Sequence, residues 1–284
     1  MRSWIFELAL ILALVVLPLA TSNYFIIWIT ILAMIYSVLS ISWLFMEKQA
    51  GWTSFAHSIP FGLAAYAFAV NPALVLPSVL AALAAFLVLS TFGRAKFTLS
   101  TFIITVAAWT LSYYIVFEQN GVLVGGEEGF SVKSLDLTTS YILSALLLLS
   151  SYIVVKTLTA SPIGLKIAAA RDDEEAARAV GVDVVRMRII AYFASIVLAS
   201  LAGICYALFF GHVSSDVFSI EVSLFPFVAT FIAGNRWIST VLGSYTIVII
   251  SRVLSGVIPE FHLVIYSAVL ITSPLLRRWW DDRG

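Results

Sequence analysis

The chain is a succession of apolar runs, each about as long as a membrane is thick. A hydrocarbon core is crossed by about 20 helical residues. With no water inside that core, a crossing segment must satisfy its own backbone, as a helix does. The runs 4–20, 24–45, 52–70, 73–92, 98–117, 140–158, 187–209, 222–235, 237–254 and 261–276 approach that length. Only 11% of the 284 residues are charged, against about 25% in an ordinary soluble domain. The reading is an all-α, polytopic membrane helix bundle of about ten spans. It forms one domain over 1–284, because no polar stretch is long enough to build a second.

The charges set an orientation. With the polar segment 159–186 placed in the cytoplasm and the sides alternated outward, both termini fall inside. Of the 16 Lys and Arg, all but Lys133 and Arg252 then face the cytoplasm, as the positive-inside rule demands. Glu118, Glu127, Glu128, Asp136, Asp216, Glu221 and Glu260 face outward. Arg277-Arg278-Trp279-Trp280 reads as an interfacial anchor, with rings at the headgroups and arginines on the cytoplasmic side. The run 4–20 follows a single Arg2 and has no small-residue cleavage site, so it reads as a first span rather than a removed signal. Arg252 lies near the outer end of its run, where a long side chain reaches the interface, with Glu260 or Glu221 as candidate partners. The lone Cys205 admits no disulfide within the sequence, and the zero net charge gives no sign of nucleic-acid binding.

Two runs are irregular. Residues 52–70 carry His57, Pro60 and Gly62, with Gly51 just ahead. Residues 222–235 are short for a crossing and carry Pro226 and Gly234. Each holds a Pro-Phe pair, Pro60-Phe61 and Pro226-Phe227. They occupy matching places in two four-span blocks, spans 2–5 and 7–10, of opposite orientation, so an inverted repeat is expected. Interrupted segments at corresponding positions point to a transport site, although prolines are also simply tolerated in membrane helices. His57 is the histidine inside a run. An ionisable group at membrane depth is a functional candidate by default; a local cap or pairing is the alternative reading. Gly125, Gly126 and Gly129 shape either an outer vestibule or a plain turn. Ser195, Ala199, Gly203 and Ala207 recur every four residues, a stripe along which backbones approach closely.

Segment 161–186 is different in kind. Ser161-Pro162 is an N-cap and first-turn pair. A second helix is expected to start near Asp172, with Glu175 as capping-box partner and the acids Asp172, Asp173, Glu174 and Glu175 at its positive end. Glu174 and Arg178 are four apart. Gly181 supplies a left-handed stop, and Asp183 caps the seventh span. Ala176, Ala177, Ala179 and Val180 leave a small, smooth surface. Such a helix–turn–helix between two spans suits a soluble partner. A charge run is as often only a wet face, and the residues alone leave both open.

Ser161-Pro162-Ile163-Gly164-Leu165-Lys166, then Arg171-Asp172-Asp173-Glu174, then Ala176-Ala177-Arg178-Ala179-Val180-Gly181-Val182 resemble, nearly residue for residue, the cytoplasmic signature of branched-chain amino acid ABC transporter permeases of the Liv type. Ser54-Phe55-Ala56-His57 through Phe61-Gly62-Leu63-Ala64-Ala65-Tyr66 is similar to that family's early segment. Gly125-Gly126-Glu127-Glu128-Gly129-Phe130 is similar to its outer glycine loop, and Leu201-Ala202-Gly203 to the span after the signature. Ala233-Gly234-Asn235-Arg236-Trp237 departs from it by holding fewer glycines, and the Leu-Pro that ends the wider Glu-Ala-Ala motif is absent.

The resemblance implies the membrane subunit of an ATP-driven importer for branched-chain or other hydrophobic amino acids, in a prokaryotic cytoplasmic (inner) membrane. Permeases for urea or other small amides are of the same type. It implies a second permease chain, paralogue or self, an extracytoplasmic solute-binding protein, and two ATPase subunits that hold ATP and Mg. Lys166, Arg171, Asp172, Asp173, Glu174, Glu175, Ala176, Ala177, Arg178 and Gly181 would couple to those ATPases. His57, Pro60, Gly62, Pro226, Gly234, Gly125, Gly126 and Gly129 would line the pathway. The chain itself has no phosphate loop, and its His and Cys have no metal-ligand spacing. It therefore calls for no cofactor of its own and no catalytic residue.

Two rival classes read less well. An intramembrane prenyl-transferring enzyme wants Asp-x-x-x-Asp clusters, and Ala176 stands where the second aspartate should be. A secondary transporter is expected to bury ion-coupling acids at mid-span, whereas the acids here are placed at or beyond span ends.

Overall fold

A computed structural model describes residues 2–21, 23–119, 122–234 and 236–254, together with Val264, Ser267, Ala268 and Thr272. The expected tenth span, 261–276, lies almost wholly outside the described residues, and so does the 277–280 anchor. Within them, the helices long and apolar enough to cross a membrane are six, and three shorter apolar helices accompany them. A polytopic helical bundle is thus present, while the expected count of about ten crossings is not confirmed.

The helices are α1 (Arg2–Val16), α2 (Tyr24–Leu44), α3 (Ser58–Val70), α4 (Val75–Ser90), α5 (Arg94–Ser112), α6 (Leu137–Ala160), α7 (Pro162–Asp172), α8 (Glu174–Ala179), α9 (Val184–Phe210), α10 (Ile220–Ala233) and α11 (Trp237–Leu254). The strands are β1 (Val116–Gln119), β2 (Val122–Gly125), β3 (Phe130–Ser131) and β4 (His212–Val213). α2 is the axis of the bundle. It is apolar on all sides, buried almost continuously from Ile29 to Leu44, and packs against α6, α9, α10 and α11. A helix without a polar face belongs inside. It ends in a widened π turn, Phe45–Gln49.

The run 52–70 is not one crossing. Residues 51–57 are non-helical, and α3 is only 13 residues long, about 20 Å. Pro60 falls in the first turn of α3, where a missing N–H costs nothing. The break therefore precedes the proline. Irregular backbone at this depth survives only where side chains satisfy it, and here they do. Trp43 Nε1 donates to the Ser54 carbonyl at 2.7 Å, Thr98 and Thr105 hydroxyls donate to the Thr53 and Phe55 carbonyls at 2.9 and 2.7 Å, and Phe55 N–H donates to Thr101 Oγ1 at 3.1 Å. Pro226, expected as a second break, lies inside a continuous α10. α10 is short because a 3-10 turn, Ser215–Phe218, precedes it and Gly234, at φ +92°, ends it. The run 98–117 shifts to 94–112, since Gly93 at φ +86° opens α5, and its tail becomes β1.

α3 and α10 meet at their N-terminal ends. Ser58 N–H donates to Ser223 Oγ at 3.0 Å, Ser223 Oγ bonds Ser58 Oγ at 2.7 Å, and Ser58 Oγ donates to the Phe218 carbonyl at 3.1 Å. From that join α3 runs toward the β-strands, with Tyr66 against Phe130. α10 runs the other way, toward the turn before Trp237. The Ser195, Ala199, Gly203 and Ala207 stripe is buried on α9, and α9 is the principal partner of α3. A Cβ added at Gly203 would overlap the Phe61 carbonyl, so glycine is what permits the approach.

At the far end from α7 and α8, the all-α expectation gives way to two small antiparallel pairs, β1 with β2 and β3 with β4. Asn120-Gly121 stands in the sequence between β1 and β2, the commonest two-residue hairpin pair.

Candidate functional site

The polar segment 161–183 folds as the predicted two-helix handle, with one shift of register. Ser161 caps α7, its Oγ accepting from Gly164 N–H at 3.1 Å. α7 then continues through Asp172. The second cap is Asp173, whose Oδ1 accepts from Glu175 and Ala176 N–H at 2.9 and 3.0 Å. The expected start at Asp172 with a Glu175 capping box is thus replaced by a simple Asp173 cap, because α7 consumes Asp172 as its last residue. The stop is as expected. Gly181 has φ +83°, its N–H donates to the Arg178 carbonyl at 3.0 Å, and Val182 N–H donates to the Ala177 carbonyl at 2.9 Å. That pair of bonds is the Schellman closure. Asp183 caps α9 through Arg186 N–H at 3.0 Å.

One side of the handle is bolted to the bundle. Glu174 is the hub: its carboxylate takes Arg188 of α9 at 2.7 Å, Arg178 at 3.6 Å and Arg94 of α5 at 3.8 Å. Arg188 also lies over the Trp52 ring at 4.7 Å. Gln49, at the end of the π turn, donates to the Gly164 carbonyl at 2.6 Å, and Arg171 donates to the Lys48 carbonyl. Arg171 also pairs with Asp172 at 2.7 Å. A small cleft between handle and bundle is lined by Trp52, Ile167, Arg171, Glu174, Met187 and Arg188. Ala177, expected on the outer surface, is buried at 3% exposure; it faces inward beneath the Val182 closure. Among the described residues, the other side is not packed against the bundle. Leu165, Lys166, Asp173, Glu175, Ala176, Arg178, Ala179 and Val180 are exposed, and a Cβ at Gly181 would meet nothing.

The interrupted segment leads inward from the handle. Trp52 packs edge-on against Phe97 and Tyr192, those rings pack on Phe86, and Phe86 packs on His57. His57 is 1% exposed, makes no capping bond to α3, and places Nε2 3.0 Å from Ser195 Oγ. Gly62 lies against the Phe218 ring. Gly125, Gly126 and Gly129, all at positive φ, fold the loop that carries Phe130 onto Tyr66. Gly62 is thus joined to this glycine loop through Phe218 and Tyr66. Pro226 and Gly234 lie farther along α10, away from that cluster.

Sequence reasoning missed Trp52, Arg188, Arg94 and Gln49, which make the handle rigid. It also missed Thr98, Thr101 and Thr105, which hold the break. The threonines repeat on one face of α5 and could have been found by that spacing. Glu7 was also overlooked: inside α1, it pairs with Lys156 at 2.5 Å and accepts from Tyr152 at 2.7 Å. Arg252 lies over Trp28 at 5.4 Å, while Glu260 is outside the described residues. Among those residues no cluster of metal-ligating side chains occurs.

The family described as "Branched-chain amino acid transport system / permease component" matches residues 25–274. The high-affinity branched-chain amino acid transport system permease protein LivM of Salmonella typhimurium is 26% identical over 137 residues, 48% of this chain and 32% of that protein. LivM of Escherichia coli matches with the same identity and coverage. The matched stretch is about a third of those relatives' length. No solved structure matches. The chain belongs to the branched-chain amino acid permease family, as a multi-pass membrane protein of transport.

Proposed function

We propose that this permease is the membrane subunit of an ATP-driven importer and that α7–α8 is the handle its ATPase grips. The observation that carries the reading is the two-sidedness of the handle. One face is fastened to α2, α5 and α9 by Glu174, Gln49 and Arg171. The opposite face leaves Lys166, Glu175, Ala176, Arg178 and Val180 uncovered on a capped, closed helix pair. A surface helix needs no such fastening merely to be wet.

Force applied to the uncovered face passes through Glu174 to Arg188 and Trp52, then to the non-helical residues 51–57 and α3. The paired half-crossings α3 and α10 are the moving parts of an inverted repeat. His57, Pro60 and Gly62 lie on one, Pro226 and Gly234 on the other, and Gly125, Gly126 and Gly129 close the outer end. The solute is a branched-chain or other hydrophobic amino acid, with a urea-type amide as the second choice within the family. An extracytoplasmic binding protein delivers it. Two ATPase subunits, which hold ATP and Mg, and a second permease chain complete the machine in a prokaryotic inner membrane with both termini inside.

The test is co-purification from mild detergent, with residues 166–182 intact or replaced by a Gly/Ser linker. An ATPase that is captured only with the intact segment supports the reading. Equal capture by both forms, or none by the intact chain where other membrane complexes survive, refutes it.

A further inference from the structure

Nine buried side chains among the described residues carry a polar atom without a partner. Eight of these atoms are hydroxyls or the Trp109 indole N–H, groups that donate. The ninth is His57 Nδ1, and its chemistry follows from its neighbours. Ser195 has one hydroxyl proton, which the Ser42 carbonyl takes at 2.8 Å. Ser195 Oγ must therefore accept from His57 Nε2, 3.0 Å away. At 1% exposure, with Ser195, Ser42 and Phe86 around it, the imidazole is neutral, since an unpaired buried charge is the costlier state. Nδ1 is then a bare lone pair with nothing to accept from.

Its position gives that lone pair meaning. His57 directly precedes α3, and the next residue, Ser58, is joined to Ser223 in the first turn of α10. Two half-crossings thus bring their first turns together at the residue that follows His57. Helix N-termini favour a carboxylate, and the imine nitrogen requires an N–H. An α-amino acid presents those two groups one carbon apart.

We propose, resting on the transport reading above, that His57 Nδ1 receives the solute's ammonium when the Ser58–Ser223 clasp opens, with the solute carboxylate at the Ser58 N–H and Ser223 hydroxyl that the clasp releases. In the closed arrangement the two serines satisfy each other and Nδ1 waits unpaired.

The test uses the assembled importer in proteoliposomes with leucine as the probe. His57→Gln sets its amide where Nε2 stands, keeps the Ser195 bond and deletes the Nδ1 acceptor. His57→Asn does the reverse. The expected result is a loss of uptake of at least about tenfold with a raised KM for His57→Gln, the cost of an unmade buried hydrogen bond, and uptake within about threefold of wild type for His57→Asn. Wild-type uptake by His57→Gln, or an equal fall in both variants, overturns the proposal while leaving the transport reading intact. Absence of leucine uptake by wild type would overturn the transport reading first. A measurement on unaltered protein guards against a variant that fails to assemble. Nitrogen NMR of histidine-labelled protein in bilayers should show Nε2 protonated and Nδ1 bare at His57, and the opposite tautomer or an imidazolium overturns the proposal.

Discussion

The joint between handle and bundle can be measured through Glu174 and Arg188. Their contact is 2.7 Å, with the two side chains 32% and 19% exposed. An exposed ion pair is worth about 0–1 kcal/mol, and a hydrogen bond to a charged group about 1.5–3 kcal/mol. Two-thirds covered, this pair belongs near the overlap, at about 1.5 kcal/mol. Loss of Arg188 also uncovers the Trp52 face, worth about 1 kcal/mol more. Arg178 and Arg94, at 3.6 and 3.8 Å, keep Glu174 from being stranded, so the single variants should fold. In a double-mutant cycle of Glu174→Gln and Arg188→Met, melting in detergent should give a coupling of about 1.5 kcal/mol, seen as about 3 °C of non-additivity. Arg171 with Asp172, adjacent and 33% and 66% exposed, is the control and should couple by under about 0.5 kcal/mol. A Glu174–Arg188 coupling no larger than that control would refute the claim that the handle is rigidly fastened, and with it the route by which force would reach Trp52.

Three further outcomes are expected. Gly203→Ala forces a methyl against the Phe61 carbonyl, and backbone cannot yield as a side chain can; it should cost about 1–3 kcal/mol by melting, and a neutral result would mean α3 and α9 are not in close contact. Gly181→Val meets open space at φ +83°, so it should cost only the left-handed strain of about 1–2 kcal/mol yet abolish ATPase capture. Gly93→Val, equally open at φ +86°, should cost the same and leave capture unchanged. Asp136, the α6 cap, has its carboxyl held below the ordinary carboxylate range by the Thr139 hydroxyl and N–H. Its contribution is therefore full above the unfolded value of about 3.9 and fades as pH falls through the lower folded value; Asp136→Asn, still a good cap, should lack that acid-side loss in melts taken from neutral pH to below pH 4.

What could be read from the sequence was what depends on near neighbours. The Ser161 and Asp183 caps, the Gly181 stop and the Glu174–Arg178 pair are all set by residues within four positions, and each stands where its spacing put it. Even the one-residue error at the second cap is local: Asp172 and Asp173 are chemically equal caps, and only the extent of α7 decides between them. Whether nine apolar runs cross the membrane was not legible. A run of apolar residues reports burial, and residues 51–57 are as buried as a helix while being none. Their hydrogen bonds come from Trp43, Thr98, Thr101 and Thr105, across separations that no periodicity within 52–70 can carry.

The same distinction explains the half-crossings. Pro60 and Pro226 drew attention as breaks, yet one is harmless in a first turn and the other is absorbed in a continuous helix. The two N-terminal ends are provided for separately: Ser58 N–H, in the first turn of α3, finds Ser223 Oγ of α10, while the start of α10 is capped by its own Ser219. A helix N-terminus presents unsatisfied N–H groups, which in a bilayer interior must find an oxygen. Ser223 supplies one such oxygen to α3, and on the proposed reading that clasp has to reopen if a solute is to pass between the two helices. On that proposal the serines tie the stability of the closed state to the gating step. A variant that strengthens the clasp should slow transport while raising the melting temperature, whereas an ordinary packing improvement would raise the melting temperature alone.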